Sequence, residues 1–416
     1  MVSQDDDRAL AQRHTLRVLA LGQVLGGVGL AAGVAVGALL ARQLLGGDAL
    51  SGLPAALSTG GGALAAVPLS RLMARRGRRP GLALGYSFGM VGALTVVIAA
   101  TVSSFVVLAL GMAMFGAGNA ASLLARYAGA DLARPQQRGR AVSTVLFATT
   151  FGAVAGPNLI EPTGAFARAV GLPELAGPFL LSILAYAAAA AVISTALRPD
   201  PLLTARSYSD APGPPHRGGS WPDVLRGPAL VGLSTMVGAQ FVMVSVMTMT
   251  PVQMRSHGHG LSVIGFVISI HVAGMYLFSP VTGLLCDRLG RLPTVQLGAA
   301  TLLTAALLAG GASPASSAVL TLALFLLGAG WSLCLVAGTT LLTDAVPLAR
   351  RAHAQGNADL LVGLAGATGG VGSGLVMALS GFAVLSLIGA AIATAMLAAG
   401  TLARQGAGVP AAATQL

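Results

Sequence analysis

Residues 283–293 read GLLCDRLGRLP, and residues 70–80 read SRLMARRGRRP. The two stretches share a frame: Arg75, Gly77, Arg78 and Pro80 return 213 positions later as Arg288, Gly290, Arg291 and Pro293. Further along, Asp131 and Arg138 return as Asp344 and Arg351 at the same offset of 213. One register held across two polar loops, and across the apolar segments between them, marks an internal duplication. The chain therefore reads as two homologous halves, each built around the same pair of charged loops.

Composition says where those halves reside. The 416 residues are 55% hydrophobic and only 9% charged, with a mean hydropathy of +0.81. One soluble core could not bury that much apolar surface, so the chain belongs in lipid. Runs long enough to cross the hydrocarbon layer lie at 16–40, 50–70, 81–102, 104–125, 141–160, 176–197, 228–250, 262–286, 294–311, 316–342, 356–378 and 381–402. None alternates as a barrel strand would, and a helix satisfies its own backbone hydrogen bonds. The expected architecture is an all-α membrane protein of twelve transmembrane helices in two pseudo-symmetric six-helix bundles. The first bundle covers 1–198 and the second 228–416. A cytoplasmic linker, 199–227, joins them; Pro201, Pro212, Pro214 and Pro215 keep it from forming a packed core.

The formal net charge of +11 would suit a nucleic-acid partner, but its distribution does not. All 24 basic residues are arginine, and with the N-terminus inside, 21 of them fall in cytoplasmic segments. Only Arg42, Arg168 and Arg255 fall outside. That asymmetry is the positive-inside pattern; it places both termini in the cytoplasm and excludes nucleic acid as the reason for the charge. Cys286 and Cys334 lie within apolar runs, so neither a disulfide framework nor a metal motif is indicated. His257 and His259 flank Gly258 in an outer loop and read as solvated. Asp5, Asp6 and Asp7 precede the first apolar run in place of a cationic leader, so that run is expected to be a retained helix. No phosphate-cradling G-x-x-x-x-G-K-[ST] occurs, which removes an ATP-driven pump, and no enzymatic site or cofactor is expected.

At the repeated loops the chain resembles the major facilitator superfamily of transporters, whose loop between helices two and three carries G-x-L-a-D-R-x-G-R-[RK]. Gly283, Leu285, Asp287, Arg288, Gly290 and Arg291 match it in the second half. In the first, Leu72, Arg75, Gly77, Arg78 and Arg79 agree, while Ser70 and Ala74 replace the glycine and the aspartate. The resemblance implies a monomeric secondary transporter of the bacterial cytoplasmic membrane, working by alternating access on a small molecule, with protons as coupling partner. It also implies that Asp287 with Arg288 and Arg291, and Asp131 with Arg138, form charged latches that close the inner side. Asp344 and Arg351 are the repeat counterparts of the second latch. Because Ala74 lacks a carboxylate, Asp359, one turn into the eleventh helix, is expected to pair with Arg71, Arg75 or Arg78 instead.

The fifth run carries Gly152, Gly156 and Pro157 as G-x-x-x-G-P, similar to a motif of drug and proton antiporters in that superfamily, although Ile160 and Glu161 stand where its closing glycines belong. The resemblance favours efflux over uptake of a small nutrient; a non-transporting sensor is the rival of another class. Substrate contacts are sought among polar and aromatic residues at mid-membrane, where an unneeded polar group is expensive. Gln23, Asn119, Gln240, His271, Tyr276 and Trp331 are the candidates. Met236, Met243, Met247 and Met249 add adaptable apolar surface. A neutral or weakly cationic amphipathic cargo fits that set. Proton coupling needs a titratable group exposed in turn to either side; His271, Asp359 and Glu161 are the candidates, with His271 favoured because imidazole ordinarily titrates at about 6.5.

Overall fold

A computed structural model describes residues 2–45, 53–208, 221–313 and 316–407. Among these residues the chain is helical, without a strand. The helices are α1 (Val2–Leu45), α2 (Leu53–Arg76), α3 (Arg78–Val102), α4 (Phe105–Asp131), α5 (Arg138–Asn158), α6 (Ile160–Ala169), α7 (Gly177–Ala196), α8 (Pro201–Ser207) and α9 (Trp221–Val224). They continue as α10 (Gly227–Ser256), α11 (Leu261–Val272), α12 (Ser279–Leu289), α13 (Arg291–Gly311), α14 (Ser317–Ala345) and α15 (Leu348–Ala407). A π-helical turn, Ala273–Leu277, interrupts the eighth apolar run between α11 and α12.

Nine helical segments among the described residues are long and apolar enough to cross a membrane, or ten when α5 and α6 count as one span bent by 52°. The segment Leu348–Leu402, at 55 residues, would be about 80 Å long as a straight helix, far beyond one crossing. It breaks at Gly381, where φ is 79° and ψ 175°. The apolar runs at 356–378 and 381–402 therefore correspond to two helices within α15. The chain is an all-α, multi-pass membrane protein.

Two compact units form. One holds Met1–Trp221 together with Val346–Ala367; the other holds Pro222–Ala345 together with Thr368–Leu416. The first turns of α15 thus belong with the N-terminal helices. Residues 209–220 of the linker, with Pro212, Pro214 and Pro215, lie outside the described residues.

The duplication is visible in the backbone. Gly77, between α2 and α3, has φ 91° and ψ 174°; Gly290, between α12 and α13, has φ 94° and ψ 168°. Glycine alone reaches that region without strain, so the repeated glycine makes the same turn twice. The helices that follow in register, α4 and α14, are the deeply buried elements of their units, and α14 is covered along an almost unbroken run from Leu327 to Thr343.

Candidate substrate and coupling sites

In the first unit the turn at Gly77 delivers Arg78 into the interior. Arg78 is fully buried, and its guanidinium takes both oxygens of Asp131: Nε donates to Oδ2 at 2.7 Å and Nη2 to Oδ1 at 3.2 Å. Nη2 also donates to Gln355 Oε1 at 2.5 Å, which fastens the start of α15 to the same charge. A buried ion is tolerated only when its hydrogen-bonding capacity is filled in this way. The expected partner of Asp131, Arg138, is therefore replaced by Arg78: α4 runs on through Asp131 and carries the carboxylate back beneath α3. The second unit repeats the pair, with Arg291 Nε donating to Asp344 Oδ2 at 3.0 Å. Arg75 and Arg288, by contrast, are exposed.

A carboxylate does reach the turn beside Ala74, from Asp200, a residue the loop motif does not contain, but its hydrogen bonds are to backbone N–H groups. Its Oδ2 accepts from the Arg79 backbone N–H at 2.8 Å, and its Oδ1 caps α8 by accepting from Leu202 and Leu203 at 3.0 and 3.2 Å. A Cβ at Gly77 would fall on this carboxylate, a second reason for glycine there.

Asp359 is buried, but its partner is Arg126 rather than Arg71, Arg75 or Arg78. Arg126 Nη2 donates to Asp359 Oδ1 at 2.5 Å and Nη1 to Oδ2 at 3.3 Å. Tyr127 closes the group: its hydroxyl accepts from Arg126 Nη2 at 3.0 Å and donates to Asp359 Oδ1 at 3.0 Å. The Arg126 guanidinium carbon also lies 4.3 Å from the Tyr127 ring centroid. Sequence reading placed Arg126 in a loop because the apolar run ends at 125, whereas the helix continues to Asp131.

One turn back along α4, Gln23 of α1 donates through Nε2 to the Ser122 carbonyl at 2.8 Å. The Tyr86 hydroxyl lies 3.3 Å from both Gln23 Oε1 and Ser122 Oγ. Tyr86, Tyr186, Phe115 and Phe179 form a chain of tilted and edge-to-face rings beside it, with centroids 5.3 to 6.0 Å apart. Asn119, a turn before Ser122, is half-buried. Thus Gln23 belongs to a packed polar group whose tyrosines and serine were not singled out by the sequence. The G-x-x-x-G-P stretch has a packing role here: a Cβ at Gly152 would meet the α1 backbone at Val24 and Val28. Glu161 is exposed in the first turn of α6.

The second unit brings three of the four candidates on its helices together. Trp331 Nε1 donates to Gln240 Oε1 at 2.7 Å, and Tyr276 meets the indole edge-to-face with centroids 5.9 Å apart. Trp331 is buried, while Gln240 and Tyr276 are half-buried and bound a polar edge. His271 stands apart, about 10 Å back along α14 from Trp331, beside Leu324. It is wholly buried, and Nδ1 lies 2.8 Å from the Leu324 carbonyl. A carbonyl only accepts, so Nδ1 carries the proton, and Nε2 has no hydrogen-bond partner among the described residues. The π turn begins two residues after His271 and swings Tyr276 toward α14. Such turns recur at functional sites, and no feature of the apolar run announced this one.

Comparison with known proteins identifies the family. The family model described as Major Facilitator Superfamily matches residues 19–369 and 241–413. The MFS-type transporter YdeG of Bacillus subtilis is 46% identical over 392 residues, covering 93% of this chain and 91% of that one. The riboflavin transporter RfnT of Brucella anthropi is 30% identical over 363 residues, covering 85% and 86%. Among solved structures, the human organic anion transporter MFSD10 superposes with a TM-score of 0.72 over 94% of this chain and 99% of its own, at 18% identity, a likeness of fold alone. With its duplicated helical halves and the loop motif at each, the chain belongs to the major facilitator superfamily.

Proposed function

We propose that this transporter expels a neutral or weakly cationic amphipathic molecule across the bacterial cytoplasmic membrane in exchange for protons. Both termini lie in the cytoplasm, the working unit is a monomer, and transport runs by alternating access of the bundles 1–198 and 228–416, joined by 199–227. The observation that carries the cargo class is the Gln240–Trp331–Tyr276 group, an uncharged amide and two edge-to-face rings that offer stacking and one hydrogen-bonding edge. Buried Met236 and Met243 on the same helix as Gln240 add polarisable, adaptable apolar surface. Coupling rests on His271, whose buried Nε2 is available to a proton, and on Asp359, whose carboxylate is free to change charge once Arg126 withdraws.

A second reading, uptake of a planar nutrient, is favoured by the riboflavin-transporting relative, since an aromatic heterocycle would stack on the same rings. Inverted membrane vesicles separate the two. Labelled riboflavin and a labelled lipophilic cation are offered with and without an imposed pH gradient. Gradient-dependent accumulation of the cation supports efflux. Accumulation of neither compound, or riboflavin movement only into right-side-out vesicles, contradicts it.

A further inference from the structure

A cavity of about 410 Å³ lies between the start of α1 and the α4–α5 connection, within the first unit, and its lining begins at Leu132, the residue after Asp131. Four arginines line it, Arg8, Arg13, Arg134 and Arg140, against one carboxylate, Asp6. The walls are fixed rather than incidental. Arg8 Nε donates to the Leu132 carbonyl at 2.9 Å, and Gln12 Nε2 donates to the Gly129 carbonyl at 2.8 Å, so the first turns of α1 are tied to the last turn of α4. With Nε spent on Leu132, the Nη groups of Arg8 have no partner among the described residues, and the same is true of the Arg13 guanidinium. Gln12 Oε1 is buried and unpartnered, an acceptor facing the same space.

We infer that this cavity binds the phosphate-bearing headgroup of an anionic phospholipid. Two forked guanidiniums with free N–H groups match phosphate oxygens, and the Gln12 carbonyl can accept from a glycerol hydroxyl of the headgroup. Position selects a lipid over a soluble phosphate. The cavity sits where the apolar stretches of α1 and α5 begin, and Leu10, beside the lining residue Ala9, is 61% exposed and available to an acyl chain. On the cytoplasmic side, where the function proposed above puts this end, anionic lipids collect around such pockets. A bound headgroup would clamp residues 134–140 just beyond Asp131, and so stiffen the buried Arg78–Asp131 pair.

Lipid retention by the purified full-length protein tests this without any transport. Phosphatidylglycerol or phosphatidylcholine is added in detergent at equal mole fraction, and bound lipid is counted by native mass spectrometry. Phosphatidylglycerol is expected to be retained preferentially, and Arg8→Gln with Arg13→Gln to weaken it roughly fivefold for each arginine removed. Arg8→Lys with Arg13→Lys keeps the charge without the fork and should retain lipid to a degree between the unsubstituted protein and the glutamine variant, which separates loss of the site from loss of fold. Arg255→Gln, at an exposed arginine elsewhere, leaves retention unchanged. Equal retention of the two lipids, undiminished binding in the glutamine variant, or displacement by millimolar inorganic phosphate would overturn the lipid assignment. None of these outcomes bears on direction of transport, so the proposed function stands or falls separately.

Discussion

Arg78 holds Asp131 through both carboxylate oxygens in a buried setting, and Arg291 holds Asp344 at the equivalent place in the second unit. The pairs are related by the sequence duplication but not by environment. The first has fully buried side chains; in the second, Arg291 is 18% and Asp344 30% exposed. Arg78→Ala should leave a buried carboxylate without its counter-charge, at a cost of about 3–5 kcal/mol. Arg291→Ala should cost about 1 kcal/mol or less. Thermal unfolding of the purified variants in detergent reads the difference directly; equal losses would show that the two pairs carry the same weight.

Arg126, Tyr127 and Asp359 act as a unit, so their substitutions should not add. Arg126→Ala and Asp359→Ala each strand a buried charge, whereas the double variant removes both. A double-mutant cycle on stability should give a coupling of about 2–3 kcal/mol. A coupling near zero would mean that the contact is not maintained in the membrane.

Asp200 serves two helix starts at once. Asp200→Ala should destabilise by about 1–2 kcal/mol, since the α8 cap and the partner of the Arg79 N–H vanish together. Gly77→Ala should cost at least as much, because alanine is strained at a φ of 91° and its Cβ displaces the Asp200 carboxylate. Asn at 200 should recover most of the cap. Unfolding midpoints of the three variants check the order.

Much of this was legible in the chain itself. The constant offset of 213 recovered the paired turns at Gly77 and Gly290, because a glycine with positive φ leaves a local signature, but it gave no hint that Val346–Ala367 packs with the N-terminal unit. The ion-pair partners were harder. Asp131 and Arg138 are neighbours in sequence, yet Arg78, 53 residues away, wins because helix length decides which face the carboxylate presents. Arg126 was hidden for the same reason: the hydropathy run ends before it, but the helix does not. Asp200 reaches the Gly77 turn from beyond the sixth apolar run, a contact no motif records. Gln240, Trp331 and Tyr276 stand out in the sequence as polar and aromatic groups in apolar helices, and the structure brings them into contact, while the π turn at Ala273–Leu277 leaves no periodic trace.

The aromatic group in the second unit makes a prediction about cargo. Trp331→Phe retains a ring for Tyr276 but loses the hydrogen bond to Gln240, so apparent affinity should fall by about three- to tenfold, equivalent to roughly 1 kcal/mol. Trp331→Ala should fall further, and Gln240→Leu should resemble Trp331→Phe. Initial rates in vesicles over a range of substrate concentrations measure this; unchanged KM in Trp331→Ala would remove the group from the binding site.

The exchange of cargo for protons is tested most directly in proteoliposomes of the purified chain loaded with a pH-sensitive dye. When a transported amphipath is allowed to run out of the lumen down its gradient, protons should move inward and acidify the interior, and His271→Gln should abolish that acidification. Cargo efflux with no change in luminal pH, or with alkalinisation, would contradict antiport.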